Sequence, residues 1–190
     1  MERSAVEAAR IQFERAAQNI DELASAKHYA EVERHWAAFL VNAGRIFTKL
    51  EQGSKSTSKS RTWWGTKIHE RRTDQLLSYI WHARNADEHG IQRVTELHLG
   101  SVKAVTPTPG EVDNFHKQMQ KQPLPYAALG VFEIMNPHVK LVAVKDRGVQ
   151  FDPPNSFQGN AINSPHPHNV GLLALSYLEG MIREAEQLIG

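Results

Sequence analysis

Apolar residues return at intervals of three and four through Val6, Ala9, Phe13, Ala16, Ile20 and Leu23, the spacing that lays one stripe along a helix. The phase then breaks. A second stripe runs through Tyr29, Val32, Trp36, Phe39, Leu40, Ala43, Ile46, Phe47 and Leu50. Two helices meeting near Ser25 to His28 explain the break, although no glycine or proline forces a turn there and a single bent helix stays open. Residues 53–60, G-S-K-S-T-S-K-S, read as the core of a flexible, positively charged linker over 53–65. Gly53 suits the C-terminal cap of the second helix. A third helix is predicted from about Thr66 to His89, burying Leu76, Leu77, Ile80 and Ala83, with Gly90 as its stop.

From Ile91 the texture changes. V-T-E-L-H-L-G-S-V-K-A-V alternates apolar and polar residues and runs into T-P-T-P-G. A-L-G-V-F-E-I-M and V-K-L-V-A-V bracket Asn136-Pro137, and Asp146-Arg147-Gly148 turns the chain into V-Q-F. These segments predict a small antiparallel sheet of three or four strands. Residues 111–122 suit a short helix or a loop, and Pro153 to Pro167 a loop. The last helix carries Val170, Leu173, Leu178, Met181, Ile182, Ala185 and Leu188. The expected fold is mainly α: a bundle of about four main helices with a small antiparallel β excursion before the last. A single domain over 1–190 would hold the first three helices in 1–90, the excursion in 91–165 and the C-terminal helix in 166–190.

Composition narrows the chemistry. Lys plus Arg number 22 against 21 acids, so no global field draws the chain to nucleic acid, and any such binding needs a local patch. Ten histidines make the surface charge sensitive to mild acid. The absence of cysteine excludes disulfides, thiolate catalysis and Cys-based zinc sites. No apolar run approaches the ~18 residues of a membrane span, and Met1 to Glu7 lack the apolar core of a signal peptide. The expectation is a cytoplasmic protein with no membrane partner.

One stretch carries the candidate chemistry: W-H-A-R-N-A-D-E-H-G, Trp81 to Gly90. Guanidinium can hold a phosphate oxygen through two parallel hydrogen bonds, and imidazole can move protons near neutral pH. At about 100° per residue, Ser78, His82, Asn85 and His89 share one polar stripe opposite Leu76, Ile80 and Ala83, while Arg84 sits about 140° from His89. One helix does not present Arg84 and His89 side by side, and two copies facing each other across a groove would. A plainer reading stands beside this one. Arg84 lies three and four residues from Asp87 and Glu88, as in helix ion pairs, and His89 is placed as a cation near the helix dipole's negative end.

The pattern Arg-polar-x-x-x-His, here Arg84, Asn85 and His89, resembles the signature of the HEPN superfamily (higher eukaryotes and prokaryotes nucleotide-binding). Those are small all-helical domains, many of them dimeric, metal-independent endoribonucleases. The resemblance implies that a ribose 2′-hydroxyl attacks the adjacent phosphorus, leaving a cyclic phosphate and a 5′-hydroxyl, with His89 as general base or acid, Arg84 stabilising charge on the phosphoryl oxygens and Asn85 orienting the phosphate or the imidazole. His82, Ser78, Asp87 and Glu88 would support them. Need for a 2′-hydroxyl would restrict the reaction to RNA. Some family members that pair with a nucleotidyltransferase carry a tyrosine two residues after the histidine. This chain has Ile91 there.

A second candidate lies upstream. Lys55, Lys59, Arg61, Lys67, Arg71 and Arg72 stand against the single Glu70 across residues 53–72, with Trp63 and Trp64 among them. Interleaved cations and aromatics suit single-stranded RNA through phosphate attraction and base stacking. A solvated linker with two tryptophans packed on the bundle explains the same residues. His166-Pro167-His168 and His69-Glu70 lack a second cluster at ligand spacing, so neither metal nor cofactor is expected. The functional expectation is a homodimeric endoribonuclease acting on RNA, as a toxin or defence effector with an antitoxin or nucleotidyltransferase-type partner. The alternative is a non-catalytic module of the same fold that binds a nucleotide or a protein.

Overall fold

The computed structural model describes residues 1–89, 92–105, 108–120 and 131–190, with residues 88, 89, 102–105, 119 and 131–134 described as backbone only. It is mainly helical. Helix α1 spans Arg3–Ser25 and α2 spans Tyr29–Ser54, so the phase break marks a true junction. His28 and Glu31 close a capping box there, with Glu31 accepting the N–H groups of Lys27 and His28 at 2.9 and 3.2 Å. Helix α3 is Ser58–Thr73, α4 is Gln75–His89, and α6, after a short α5 at Pro109–Met119, is Pro167–Glu186.

The expected linker over 53–65 is therefore corrected. Gly53 is buried inside α2 rather than capping it, and after a turn at 55–57 the chain re-enters a helix at Ser58. Thr57 and Ser60 cap each other's backbone at that start, and the Ser60 hydroxyl, fully buried, donates to the Ser54 carbonyl at 2.7 Å. Hydroxyls that suggest a solvated linker instead satisfy a helix N-terminus. The single third helix is corrected as well. Asp74 adopts an extended conformation between α3 and α4, and its Oδ1 accepts the N–H groups of Leu76 and Leu77 at 2.9 and 3.1 Å. An N-cap restarts the helix without any glycine or proline.

The chain forms two compact units. The first contains Met1–Glu96 and Val139–Gly190, and the second Leu97–His138. In the first, α1 packs on α2 and α6, and α4 on α2, α3 and α6. Ile20, Trp36, Phe39, Leu40, Ile46, Leu50, Leu76, Leu178 and Ile182 fill the core, with Trp36 and Phe39 stacked at 5.1 Å. Each such side chain contributes roughly 1.5–3 kcal/mol by leaving water.

Among the described residues, the excursion forms four two-stranded pairs rather than one sheet of three or four strands. The strands are β1 (Thr95–His98), β2 (Ser101–Val105), β3 (Val131–Met135), β4 (His138–Leu141), β5 (Val144–Asp146), β6 (Val149–Phe151), β7 (Ser156–Phe157) and β8 (Asn160–Ala161), paired β1–β4, β2–β3, β5–β6 and β7–β8. In the second unit, β2 and β3 run antiparallel from Ser101 opposite Met135 to Val105 opposite Val131. Helix α5 begins at a capping box of Thr108 and Glu111, and Phe115 is its buried anchor. Residues 139–165 belong with the helices, where Tyr79 of α4 donates to the Val142 carbonyl at 2.8 Å. Gly90 and Ile91 lie outside the described residues.

Candidate functional site

The polar stripe on α4 faces a groove in the first unit. Leu76, Tyr79, Ile80, Ala83 and Ala86 are buried toward the core, which turns Ser78, His82 and Asn85 to the other side. There the β5–β6 hairpin packs on the helix. The two elements and the end of α3 enclose a cavity of about 900 Å³, lined by Arg71, Arg72, Ser78, Trp81, His82, Arg84, Asn85, Asp146, Arg147, Val149 and Phe151. Four guanidinium groups and one carboxylate meet in this space.

The carboxylate is already engaged. Asp146 Oδ2 lies 2.7 Å from His82 Nδ1 and accepts the Asn85 amide N–H at 2.9 Å. The Asn85 hydrogen bond first, then the His82 contact, hold the Asp146 carboxyl below its ordinary range. On its other side the His82 ring stacks on Phe151, with centroids 3.6 Å apart and planes 10° from parallel. The imidazole is fixed in position and in plane, and Nε2 makes no hydrogen bond among the described residues.

The arginines are placed differently. Arg71 lays its guanidinium over Trp81 at 3.7 Å and beside Phe47 at 5.3 Å. Burial first, and the charge of Arg72 beyond that, lower its affinity for its proton. Arg71, Arg72 and Arg147 make no hydrogen bond or salt bridge to a carboxylate among the described residues. Arg147 occupies the first central position of the β5–β6 turn with φ 51°, followed by Gly148 at φ 82°. That turn needs two left-handed residues, which glycine adopts freely and arginine at a cost of roughly 1–2 kcal/mol. Arg84 packs on α2 at Gly44, where an added Cβ would fall 2.7 Å from Arg84 Cδ. A side chain at 44 would have to displace the arginine.

Arg84, Asn85, His82 and Ser78 thus share one groove, and Arg71 and Arg72 join them from α3. Asp87 is half-buried on α4 and is not among the lining residues. The side chains of Glu88 and His89 lie outside the described set, and with them the Arg84–His89 geometry.

The upstream basic segment separates into three parts. Lys55 at the α2–α3 turn and Lys59 and Arg61 at the start of α3 are exposed and do not line the groove. Trp64 is buried against Phe47, and Trp63 donates its indole N–H to Glu184 at 2.7 Å. Lys67 is buried and bridges Glu70 at 3.1 Å and Glu184 at 2.8 Å. The expected use of Trp64 and Lys67 as RNA contacts is corrected, because both are committed to packing or pairing within the fold.

Asp146, Arg147 and Phe151 escape a reading of the sequence. D-R-G signals a turn, and nothing local places that turn against a histidine 64 residues earlier in the chain. His166 accepts the His168 N–H at 3.2 Å as the N-cap of α6. No group of three metal-ligating side chains occurs among the described residues, and no helix among them is long and apolar enough to cross a membrane.

No known protein family, curated protein or solved structure matches this chain.

Proposed function

We propose that the chain is a HEPN-like, metal-independent endoribonuclease and that the arginine-lined groove is its RNA site. The observation that carries this reading is the meeting of Arg71, Arg72, Arg84 and Arg147 in one cavity whose single lining carboxylate is engaged by His82 and Asn85. Such a groove attracts phosphodiester oxygens and offers each a planar fork of donors. Trp81 and Phe151 add aromatic faces to its walls, and a volume of about 900 Å³ falls within the range of nucleotide-sized sites.

In this reading Arg84 stabilises charge on the scissile phosphate, and His89 transfers a proton, as the Arg-polar-x-x-x-His resemblance implies. Asn85 acts through Asp146. A homodimer would bring two such grooves together, and the role of a toxin or defence effector with an antitoxin or nucleotidyltransferase-type partner belongs to the same proposal.

A test is cleavage of single-stranded RNA in EDTA. The wild type should cut, leave a cyclic phosphate, and spare a substrate with deoxyribose at the cleaved position. Arg84→Ala and His89→Ala should each lose about 10²–10⁴-fold in rate, and light scattering should give twice the 21.4 kDa chain mass. RNA that binds in the groove and is never cut would favour the second reading, a nucleotide-binding module. The engagement of Asn85 and His82 with Asp146 speaks for that alternative, since the same bonds fasten the hairpin to α4.

A further inference from the structure

The groove contains an acid–base arrangement that the Arg-polar-x-x-x-His pattern does not include. We propose that His82, oriented by Asp146, is a general base for RNA cleavage in this groove and that each chain carries the pair complete. The proposal rests on the nuclease reading above.

Three observations support it. With Asp146 Oδ2 at 2.7 Å from Nδ1, the carboxylate favours the tautomer whose proton sits on Nδ1, leaving the Nε2 lone pair as acceptor. The Asn85 amide donates to the same Oδ2 at 2.9 Å and locks the carboxylate in that orientation. Phe151, parallel to the imidazole at 3.6 Å, prevents the ring from tilting away. A histidine needed only to fasten the hairpin would require the Nδ1 hydrogen bond alone. Here the ring is held on two sides, lines the cavity, and leaves its second nitrogen without a partner among the described residues.

In the cleavage step, the 2′-hydroxyl oxygen attacks phosphorus while Nε2 takes its proton. The bond from phosphorus to the 5′-oxygen breaks, and that oxygen leaves with the proton that His89 transfers in the nuclease reading, His89 regaining it from water. The products are a 2′,3′-cyclic phosphate and a 5′-hydroxyl, and the imidazolium returns its proton to solvent. Charge on the equatorial oxygens would be met by Arg84, joined by Arg72 from α3 and Arg147 from the hairpin, the last two exposed cations on the cavity wall. Among the described residues, the charged groups that line the cavity are Arg71 and Arg72 from α3, Arg84 from α4, and Asp146 and Arg147 from the hairpin. Asp146 is thus the only anion among these lining groups.

The experiment measures kcat/KM against pH for a short single-stranded RNA with wild type, His82→Gln and Asp146→Asn. Binding of the same oligonucleotide carrying deoxyribose at the cleaved position serves as the control for folding. His82→Gln should bind the deoxy probe as the wild type does, lose about 10²–10⁴-fold in cleavage, and lose the acidic limb of the profile. Asp146→Asn should lose at least about tenfold in kcat with KM unchanged. Wild-type rate and profile in His82→Gln would overturn the pair and leave the nuclease reading standing. A wild-type kcat in Asp146→Asn with a lowered melting temperature would reduce Asp146 to a structural clasp and overturn the proposal too. A wild type that binds the deoxy probe but cuts no RNA would overturn both.

Discussion

Helix α3 carries cations in two settings, and each setting handles charge in its own way. Lys67 is buried, with Glu70 at 3.1 Å and Glu184 at 2.8 Å, and those carboxylates also accept the Tyr177 hydroxyl at 2.8 Å and the Trp63 indole at 2.7 Å. Arg71 and Arg72, four and five positions further along, open instead onto the groove. Arg71 rests on the Trp81 ring at 3.7 Å, and no carboxylate forms a salt bridge with either arginine among the described residues. A cation closed in by two carboxylates serves the fold and has little left for a ligand. A guanidinium lying on an aromatic face keeps its charge and its edge donors. Within one basic run, burial and partners thus separate the cations that hold the protein together from those available to a phosphate.

The largest effect expected from this contrast is on stability. Lys67→Ala should leave the Glu70–Glu184 pair without its cation and cost about 1–3 kcal/mol in urea unfolding, at the lower end of a broken buried network because both carboxylates are part-exposed. RNA affinity of the folded protein should not change. Unaltered stability would break the comparison.

A smaller effect is expected where the groove meets the core. Gly44→Ala places a methyl 2.7 Å from Arg84 Cδ, so the arginine has to shift while the backbone stays. Cleavage and RNA affinity should fall several-fold, with a melting temperature close to wild type. A large loss of stability with no change in affinity would instead make Arg84 a packing residue.

The smallest effect is in acid. The hydrogen bond from Asn85 and the contact with His82 hold Asp146 below its ordinary range, so its folded value lies below its unfolded one. Its contribution to stability is full above the ordinary carboxylate range and is lost as pH falls through the depressed value. Unfolding free energy followed from pH 5 downward should decline less steeply in Asp146→Asn than in the wild type. Parallel curves would mean that the carboxylate adds nothing to folding.

Parts of this arrangement are legible in the amino-acid order. The change of phase between Leu23 and Tyr29 locates the α1–α2 junction, and the stripe Ser78, His82, Asn85 is the side of α4 that faces the groove. The D-R-G turn is where the β5–β6 hairpin forms. Helix α3 hides in a polar run because it is started by mutual capping of Thr57 and Ser60 rather than by an apolar stripe. The break at Asp74 is equally silent, since a capping carboxylate leaves the hydrophobic period of the neighbouring helices undisturbed. The pairing of Asp146 with His82 joins elements 64 residues apart, and no local spacing contains it. Ser78, His82, Arg84 and Asn85 stand out in the sequence. The carboxylate and arginine that complete their groove had to be found by folding.

The central claim is that the groove, rather than the exposed α2–α3 turn, takes the phosphates. The most direct measurement is the salt dependence of single-stranded RNA binding for two variant sets, Arg72→Ala with Arg147→Ala, and Lys55→Ala with Lys59→Ala and Arg61→Ala. Removing a cation that neutralises one phosphate should flatten the plot of log affinity against log salt by about 0.7. The groove pair should therefore lower affinity and reduce the slope by about 1.4, while the turn set keeps the wild-type slope. A slope that flattens only in the turn set would contradict the account.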